Sequence, residues 1–117
     1  MPYKGKLSVQ SAFDVEVSAT GGNRDGVGVT VAFIVQSDKY SDVDVFTVPA
    51  PVGTAGSKVT KTYAPNTLPV ITGKRVRVIV DVATPSPGGA LVKVSQGGVA
   101  KVDDTVASDA RFVLDLE

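Results

Sequence analysis

The sequence predicts an all-β protein, a two-sheet antiparallel β-sandwich of about eight strands with immunoglobulin-like or fibronectin type III-like character and no substantial helix. Valine occupies 23 of the 117 positions, against 5 Leu and 3 Ile, and β-branched side chains fit a pleated sheet better than a helix. The 12 Gly and 7 Pro separate segments in which apolar and polar residues alternate. A chain of this length buries one core, so residues 1–117 are interpreted as a single domain.

The first predicted strand is unusually long. From Lys6 to Ala19 the apolar residues fall almost entirely on odd positions, and successive side chains of a strand point to opposite faces of the sheet. The pattern predicts one long amphipathic strand or two collinear ones. At about 3.3 Å per residue such a strand is roughly 40 Å long, so we expect it to bend or to change sheets midway.

Three more strands are predicted in the first half of the chain. Residues 27–35 alternate after the glycine-rich loop 20–26, and their even positions are only weakly polar, so we expect both faces of this strand to be partly covered. A third strand is predicted over residues 43–48 and a fourth over residues 58–63, each followed by a proline that ends it.

The second half of the chain predicts four strands. Residues 75–83 place valines on one face and charged residues on the other, and segments 90–96 and 99–103 continue the alternation. The pair Gly97-Gly98 predicts a type I′ hairpin, because both turn positions need a positive φ. We expect these three strands to form one meander. The last strand, residues 111–116, is interpreted as a sheet edge that another chain extends.

The residue types of common active sites are absent. The chain has no His and no Cys, which excludes a Ser-His-Asp triad, thiol nucleophiles and metal sites ligated by His or Cys. Segment 53–58 lacks the spacing of a phosphate-binding loop. Asp103 and Asp104 are adjacent, so in a strand they face opposite ways and do not form a catalytic pair. We therefore expect a protein that is not an enzyme and has no cofactor, with calcium as the one alternative.

One acidic segment raises that alternative. Asp38, Asp42 and Asp44 lie close together in the sequence and flank Tyr40. Carboxylates bind calcium, but such a site needs about six to eight oxygens, and the EF-hand pattern fails at its third, sixth and twelfth positions. We favour a polar loop that leads into an outward-facing strand edge. Calcium at these three aspartates stays open, as does a lectin-like site in which Tyr40 contacts a glycan. The three tyrosines, Tyr3, Tyr40 and Tyr63, are expected to keep their hydroxyl groups in water.

The middle of the chain is basic. Residues 45–80 contain no acid and five bases, which are Lys58, Lys61, Lys74, Arg75 and Arg77. Because sequential strands often pair, these bases are predicted to form one interaction patch. Two interpretations stay open. The bases form cross-strand ion pairs with Asp14, Glu16 or Asp81 of the same chain, or the patch docks head to tail on an acidic face of another copy and builds rings or arrays.

The totals exclude two classes of partner. Lys and Arg number 12, as do Asp and Glu, and a net charge of zero argues against binding to nucleic acid. No run approaches the ~18 consecutive apolar residues of a membrane-spanning helix. The first residues lack the pattern of a signal peptide, so we expect synthesis in the cytoplasm, with the final location open.

The function that these patterns favour is a non-catalytic structural or interaction module that contacts other protein subunits, as a homo-oligomer or in a larger assembly. A virion component, such as a phage capsid-decoration or tail-associated protein, is one setting that fits. The alternative is a carbohydrate-binding, lectin-like module that uses residues 37–46, with or without calcium. An enzyme inhibitor that presents loop 20–26 or loop 84–89 is a third class.

Overall fold

The computed structural model describes residues 3–8, 10–19, 26–35, 40–49, 57–64, 76–84 and 89–116. These residues form nine strands and no helix. The strands are β1 (Tyr3–Leu7), β2 (Phe13–Ala19), β3 (Val27–Val35), β4 (Tyr40–Val48), β5 (Ser57–Tyr63), β6 (Val76–Ala83), β7 (Ala90–Gln96), β8 (Val99–Val106) and β9 (Ala110–Leu116). The all-β prediction is confirmed, and the ninth strand arises because the long first strand is divided into β1 and β2.

The strands are arranged in two sheets that pack as a sandwich. One sheet has five strands in the order β1-β9-β6-β3-β4, and the other has four in the order β5-β2-β7-β8. The described pairings are antiparallel except that of β1 with β9, which is parallel. The two-sheet sandwich is therefore confirmed, while its closer likeness to immunoglobulin or fibronectin type III domains stays a prediction.

Alternation along each strand sends one set of side chains into the space between the sheets. In β2 the odd positions are buried and the even ones half-buried, and in β6 the valines at even positions are buried. The two inner faces meet in one apolar core, whose largest fully buried side chains include Phe13, Leu7, Leu114 and Leu116. Burial of a side chain of this size stabilises the fold by roughly 1.5–3 kcal/mol.

The predicted change of sheets occurs between β1 and β2. β1 belongs to the five-stranded sheet and β2 to the four-stranded sheet. The Gln96 side chain holds the crossing segment: the Ser8 N–H donates to Oε1 of Gln96 (2.7 Å), and Nε2 of Gln96 donates to the carbonyl oxygens of Ser8 (2.9 Å) and Ser11 (3.1 Å). The backbone N–H and carbonyl groups of the segment between the two sheets thus have hydrogen-bond partners.

The predicted meander is only partly correct. β7 and β8 form the expected hairpin, with φ of 59° at Gly97 and 78° at Gly98. β6, however, belongs to the opposite sheet, where it lies between β3 and β9. Because both of its edges are paired, β6 has no free edge for β7, and the chain crosses to the other sheet instead.

The last strand is not the sheet edge that the sequence predicted. β9 lies between β1, which pairs with it in parallel, and β6, which pairs with it in antiparallel orientation. Both rows of its backbone hydrogen-bonding groups therefore have partners within the chain. The described strands that end the sheets are β1 and β4 in one and β5 and β8 in the other.

Candidate interaction surface

Asp44 is turned towards the interior of the sandwich. It lies on β4 at the same parity as Phe46 and Val48, which are buried. Its Oδ2 accepts a hydrogen bond of 2.7 Å from the hydroxyl group of Tyr63 on β5. The interpretation of this segment as an outward-facing strand edge is therefore wrong at Asp44. An inward carboxylate needs a partner, and Tyr63 provides it.

Of the other two aspartates in the predicted cation site, the structure gives the strand position of one and does not describe the other. Asp42 lies on β4 in register with Phe33, and Tyr40 lies on the same strand in register with Val35. Asp38 lies outside the described residues. Within the part of the chain that the structure describes, no cluster of three or more acids has the spacing to hold a metal ion. Calcium binding therefore stays a prediction.

The Tyr63 ring belongs to an aromatic cluster at the end of the core. Its centroid lies 5.6 Å from that of Phe13 and 5.8 Å from that of Phe33, and the two phenylalanine rings are 6.0 Å apart. Burial raises the pKa of the Tyr63 hydroxyl well above its ordinary value, and the hydrogen bond to Asp44 and the negative charge of that group raise it further. The expectation of a hydroxyl group in water is wrong at Tyr63.

The basic residues do not form the predicted single patch where the structure describes them. Lys58 and Lys61 lie on β5, and Arg77 lies on β6 of the other sheet, so the two strands do not pair. Lys58 and Lys61 are three residues apart and face opposite sides of β5. Lys58 lies 3.5 Å from Glu16, and Arg77 lies 3.8 Å from Asp115. Lys74 and Arg75 lie outside the described residues.

The outer face of the five-stranded sheet, which points away from the four-stranded sheet, carries a row of apolar residues. Strand register aligns Val43 with Ala32, Ala32 with Ile79, and Ile79 with Val113, across β4, β3, β6 and β9. We call these four residues the apolar row. Val113 is 8% exposed and Val43, on the edge strand, is 52% exposed, while Ala32 and Ile79 are half-buried.

Two ion pairs flank the apolar row, one on each side. Two residues away on β6 and β9, Arg77 is in register with Asp115. Two residues away in the other direction, Asp81 is in register with Arg111, and its carboxylate receives hydrogen bonds from Nε and Nη2 of that arginine, the latter at 2.9 Å. The hydrogen bond and the negative charge of Asp81 raise the pKa of the Arg111 guanidinium.

The edge strand β4 adds a second exposed valine to this face. Val45 is 64% exposed and lies in register with Thr30. Leu91 and Val99, the other large exposed apolar residues among those described, belong to the four-stranded sheet, and Leu91 has the polar register neighbours Ser18 and Thr105. Val43 and Val45 instead continue an apolar surface.

Sequence reasoning missed this outer surface, although the signal was present. In β4 the odd positions Val43 and Val45 alternate with Phe46 and Val48 on the even side, so the strand is apolar on both faces. Only one of two apolar faces on a strand can meet the core. In a strand that ends its sheet, the second set of valines therefore predicts an exposed apolar surface.

A shallow groove of about 360 Å³ opens where β6 ends and β9 begins, and it contains two carboxylates, those of Asp81 and Asp109. Asp81 is paired with Arg111, and Oδ1 of Asp109 accepts the Thr84 backbone N–H at 2.8 Å. Each carboxylate therefore has a structural partner.

No family model, curated protein or solved structure was found to match this chain. Across the ranges that the structure describes, no helix has the length and hydropathy required to cross a bilayer.

Proposed function

We propose that this protein is a non-catalytic structural or interaction module that contacts other protein subunits through the outer face of its five-stranded sheet. The observation that carries the proposal is the exposed edge strand β4, where Val43 and Val45 are 52% and 64% exposed beside the apolar row. Proteins that do not associate rarely expose a contiguous apolar surface. β4 carries neither a lysine nor an arginine at its outward positions 43, 45 and 47.

Three of the described acids have hydrogen-bond partners within the chain, which supports the non-catalytic part of the proposal. Asp44 accepts from Tyr63, Asp81 pairs with Arg111, and Asp109 accepts from the backbone of Thr84. A general acid or base must be free to exchange a proton with a substrate. With no His or Cys in the chain, the remaining residue types offer few other routes to catalysis.

As the setting of the assembly we propose a virion, in which the chain is a capsid-decoration or tail-associated component. A small module with an exposed apolar face is suited to docking on another subunit of a larger assembly. The test of the setting is quantitative mass spectrometry of purified particles, in which a structural component appears in a fixed ratio to the main capsid protein.

The carbohydrate-binding alternative has less support in the described residues. It needs the acids of segment 37–46, and Asp44 is already bonded to Tyr63. A glycan array with and without calcium tests the alternative directly. Specific binding that Asp42→Ala abolishes favours the lectin function over the assembly function.

The experiment that tests the proposed function compares two double variants in solution. Val43→Lys with Val45→Lys places charge on the exposed edge, and Leu91→Lys with Val99→Lys is the matched control, since these residues are 47% and 56% exposed on the other sheet. The weight-average molar mass is measured by sedimentation from low to high micromolar concentration. We expect the wild type to rise above 12.0 kDa with concentration, the β4 variant to stay monomeric and the control to behave as wild type. A wild type that stays monomeric throughout contradicts self-assembly.

A further inference from the structure

We infer that the partner of the outer face is a second copy of this chain, docked face to face about a two-fold axis that runs along the apolar row. The inference rests on the proposed function and names its partner. It is carried by the arrangement of four charged residues around Ile79 and Val113, which complements itself when two copies meet.

The four charges occupy the corners of a rectangle on the outer face. Arg77 is beside Asp115, and Asp81 is beside Arg111, so the sign changes from β6 to β9 in each pair. The sign also changes along each strand. With strands about 4.8 Å apart and a rise of about 3.3 Å per residue, the rectangle measures roughly 5 by 13 Å. The order of signs around it is therefore positive, negative, positive, negative.

A two-fold rotation about the apolar row exchanges the two ion pairs. It lays Arg77 of one copy over Asp81 of the other, and Arg111 over Asp115, so that each cation faces an anion. The contact is isologous, because the same patch is used on both subunits. If both arginines lay on one strand and both aspartates on the other, the same rotation would place arginine over arginine and aspartate over aspartate.

The position of Val43 selects this axis over one parallel to the strands. Rotation about the apolar row lays β4 on β4 of the copy, so that Val43 meets Val43 and Ile79 meets Ile79. If the axis instead ran parallel to the strands, between β6 and β9, then β4 of one copy would lie beyond β1 of the other copy and would contact no strand of its sheet. Since Val43 is 52% exposed, only the first axis covers the most exposed part of the apolar row.

The size of the face predicts a weak dimer. Five strands at about 4.8 Å and about seven residues at about 3.3 Å give a face of roughly 24 by 23 Å, which is about 550 Å² per partner and below the ~800 Å² of a standard interface. Apolar contact supplies most of the affinity. The charges contribute orientation, because like charges opposed across an interface are strongly unfavourable, whereas exposed ion pairs add little.

Two charge-swap variants test the geometry. Variant one carries Asp81→Arg and Arg111→Asp, and variant two carries Arg77→Asp and Asp115→Arg. Each variant keeps opposite charges between β6 and β9 of its own chain. In variant two the new arginine also lies in register with Lys6 of β1, so circular dichroism and thermal unfolding first establish that both variants fold like the wild type. In a dimer of either variant with itself, each of the four corners faces a like charge. We expect self-association to weaken at least about tenfold in each, as measured by sedimentation velocity.

An equimolar mixture of the two variants is expected to regain dimers with the affinity of the wild type. In that mixture Arg77 of variant one faces the native Asp81 of variant two, and every other corner again meets its opposite. Rising salt should weaken the discrimination, since the charges are exposed. Dimerisation of either variant alone at wild-type affinity, or a mixture that stays monomeric, overturns the inference.

The result also separates this inference from the proposed function. If the β4 lysine variant is monomeric but both charge-swap variants dimerise normally, the outer face is an interaction surface without the charge-directed geometry. If the wild type itself never associates, the inference fails, and the proposed function then depends on the particle mass spectrometry, which also detects contact with a different protein subunit. If either two-site variant folds poorly, the variant that carries all four substitutions is used instead. Its four charged positions again alternate in sign, so we expect it to self-associate like the wild type.

Discussion

The hydroxyl group of Tyr63 donates a 2.7 Å hydrogen bond to the carboxylate of Asp44, and this bond joins the edge strands β5 and β4 of the two sheets. We predict that Tyr63→Phe destabilises the fold by about 1–3 kcal/mol, because the half-buried acid loses its donor while the ring packing is kept. Asp44→Asn is the matched control, since the amide oxygen still accepts the bond, and it should cost less. Urea denaturation measures both. Equal stability of Tyr63→Phe and wild type would contradict the prediction.

The same pair predicts a dependence on alkaline pH. The pKa of Tyr63 is raised in the folded protein by burial, then by the bond to Asp44 and its charge, whereas in the unfolded chain it is about 10. Above that value the unfolded state releases the proton and the folded state retains it. The stability is therefore fully present below about pH 10 and decreases as pH rises beyond it.

Tyr63→Phe provides the control for this pH dependence. The variant keeps every other titrating group, so the difference between its unfolding free energy and that of the wild type isolates Tyr63. We expect the difference between the two curves to stay constant up to about pH 10 and to shrink as pH rises beyond it, measured by urea denaturation from about pH 9 upward. A constant difference across this range would show that the hydroxyl titrates alike in both states.

The sequence predicted which face of β2 and of β6 is buried, and the reason is local. Alternation is a property of a single strand, so the odd residues of β2 and the valines of β6 could be assigned to the core without knowledge of any neighbour. Strand alternation also predicts the correct face for Asp44, although we had interpreted its segment as facing outward. It has the parity of Phe46, which is buried, and that parity places it on the inner face.

Sheet membership could not be predicted in the same way. The pattern of β6 does not state whether β7 or β9 will occupy its free edge, because the choice depends on contacts with distant parts of the chain. The rule that sequential strands pair predicted a β6–β7 meander and a β5–β6 pairing under the basic patch, and the topology shows neither pairing. The interpretation of the last strand as a sheet edge was a separate one, and it is wrong because β9 lies between β1 and β6. The outer apolar row has the same origin, since only the register of four strands brings Val43, Ala32, Ile79 and Val113 together.

Gln96 is predicted to be necessary for the crossing between β1 and β2. Its amide accepts from the Ser8 N–H and donates to the carbonyl oxygens of Ser8 and Ser11. Gln96→Leu removes all three bonds while keeping a side chain of similar size, and we expect a loss of about 1–3 kcal/mol in unfolding free energy. Hydrogen exchange should show faster exchange at Ser8 than in the wild type.

Gln96→Glu separates the two roles of this amide. The carboxylate still accepts from Ser8 but cannot donate to the two carbonyl oxygens. An intermediate loss at neutral pH, which decreases on acidification as the acid regains a donor, is the expected result. A glutamate variant as stable as the wild type at pH 7 would show that the donated bonds contribute nothing.

Gly89 is predicted to tolerate no side chain. A Cβ atom at this position would lie 2.4 Å from the carbonyl oxygen of Val106, which belongs to a paired strand and cannot move freely. Gly89→Ala should therefore destabilise the fold by about 1–3 kcal/mol. Gly28→Ala is the matched control, because its Cβ would meet only the Ala83 side chain at 3.8 Å. Chemical denaturation should show the control at or above wild-type stability, and an equal loss in both would assign the effect to glycine replacement in general.

The last prediction concerns calcium. Asp44 faces inward and is bonded to Tyr63, so a cation at Asp38, Asp42 and Asp44 would have to replace that bond and recruit several more oxygens. We therefore expect millimolar calcium to leave the thermal unfolding midpoint unchanged, within about 1 °C. By comparison, a ligand present at one hundred times its Kd stabilises the folded state by about 2.7 kcal/mol. Magnesium at the same ionic strength is the control for salt effects. A saturable increase that is specific for calcium and that Asp38→Asn abolishes would establish the site and shift the balance to the lectin alternative.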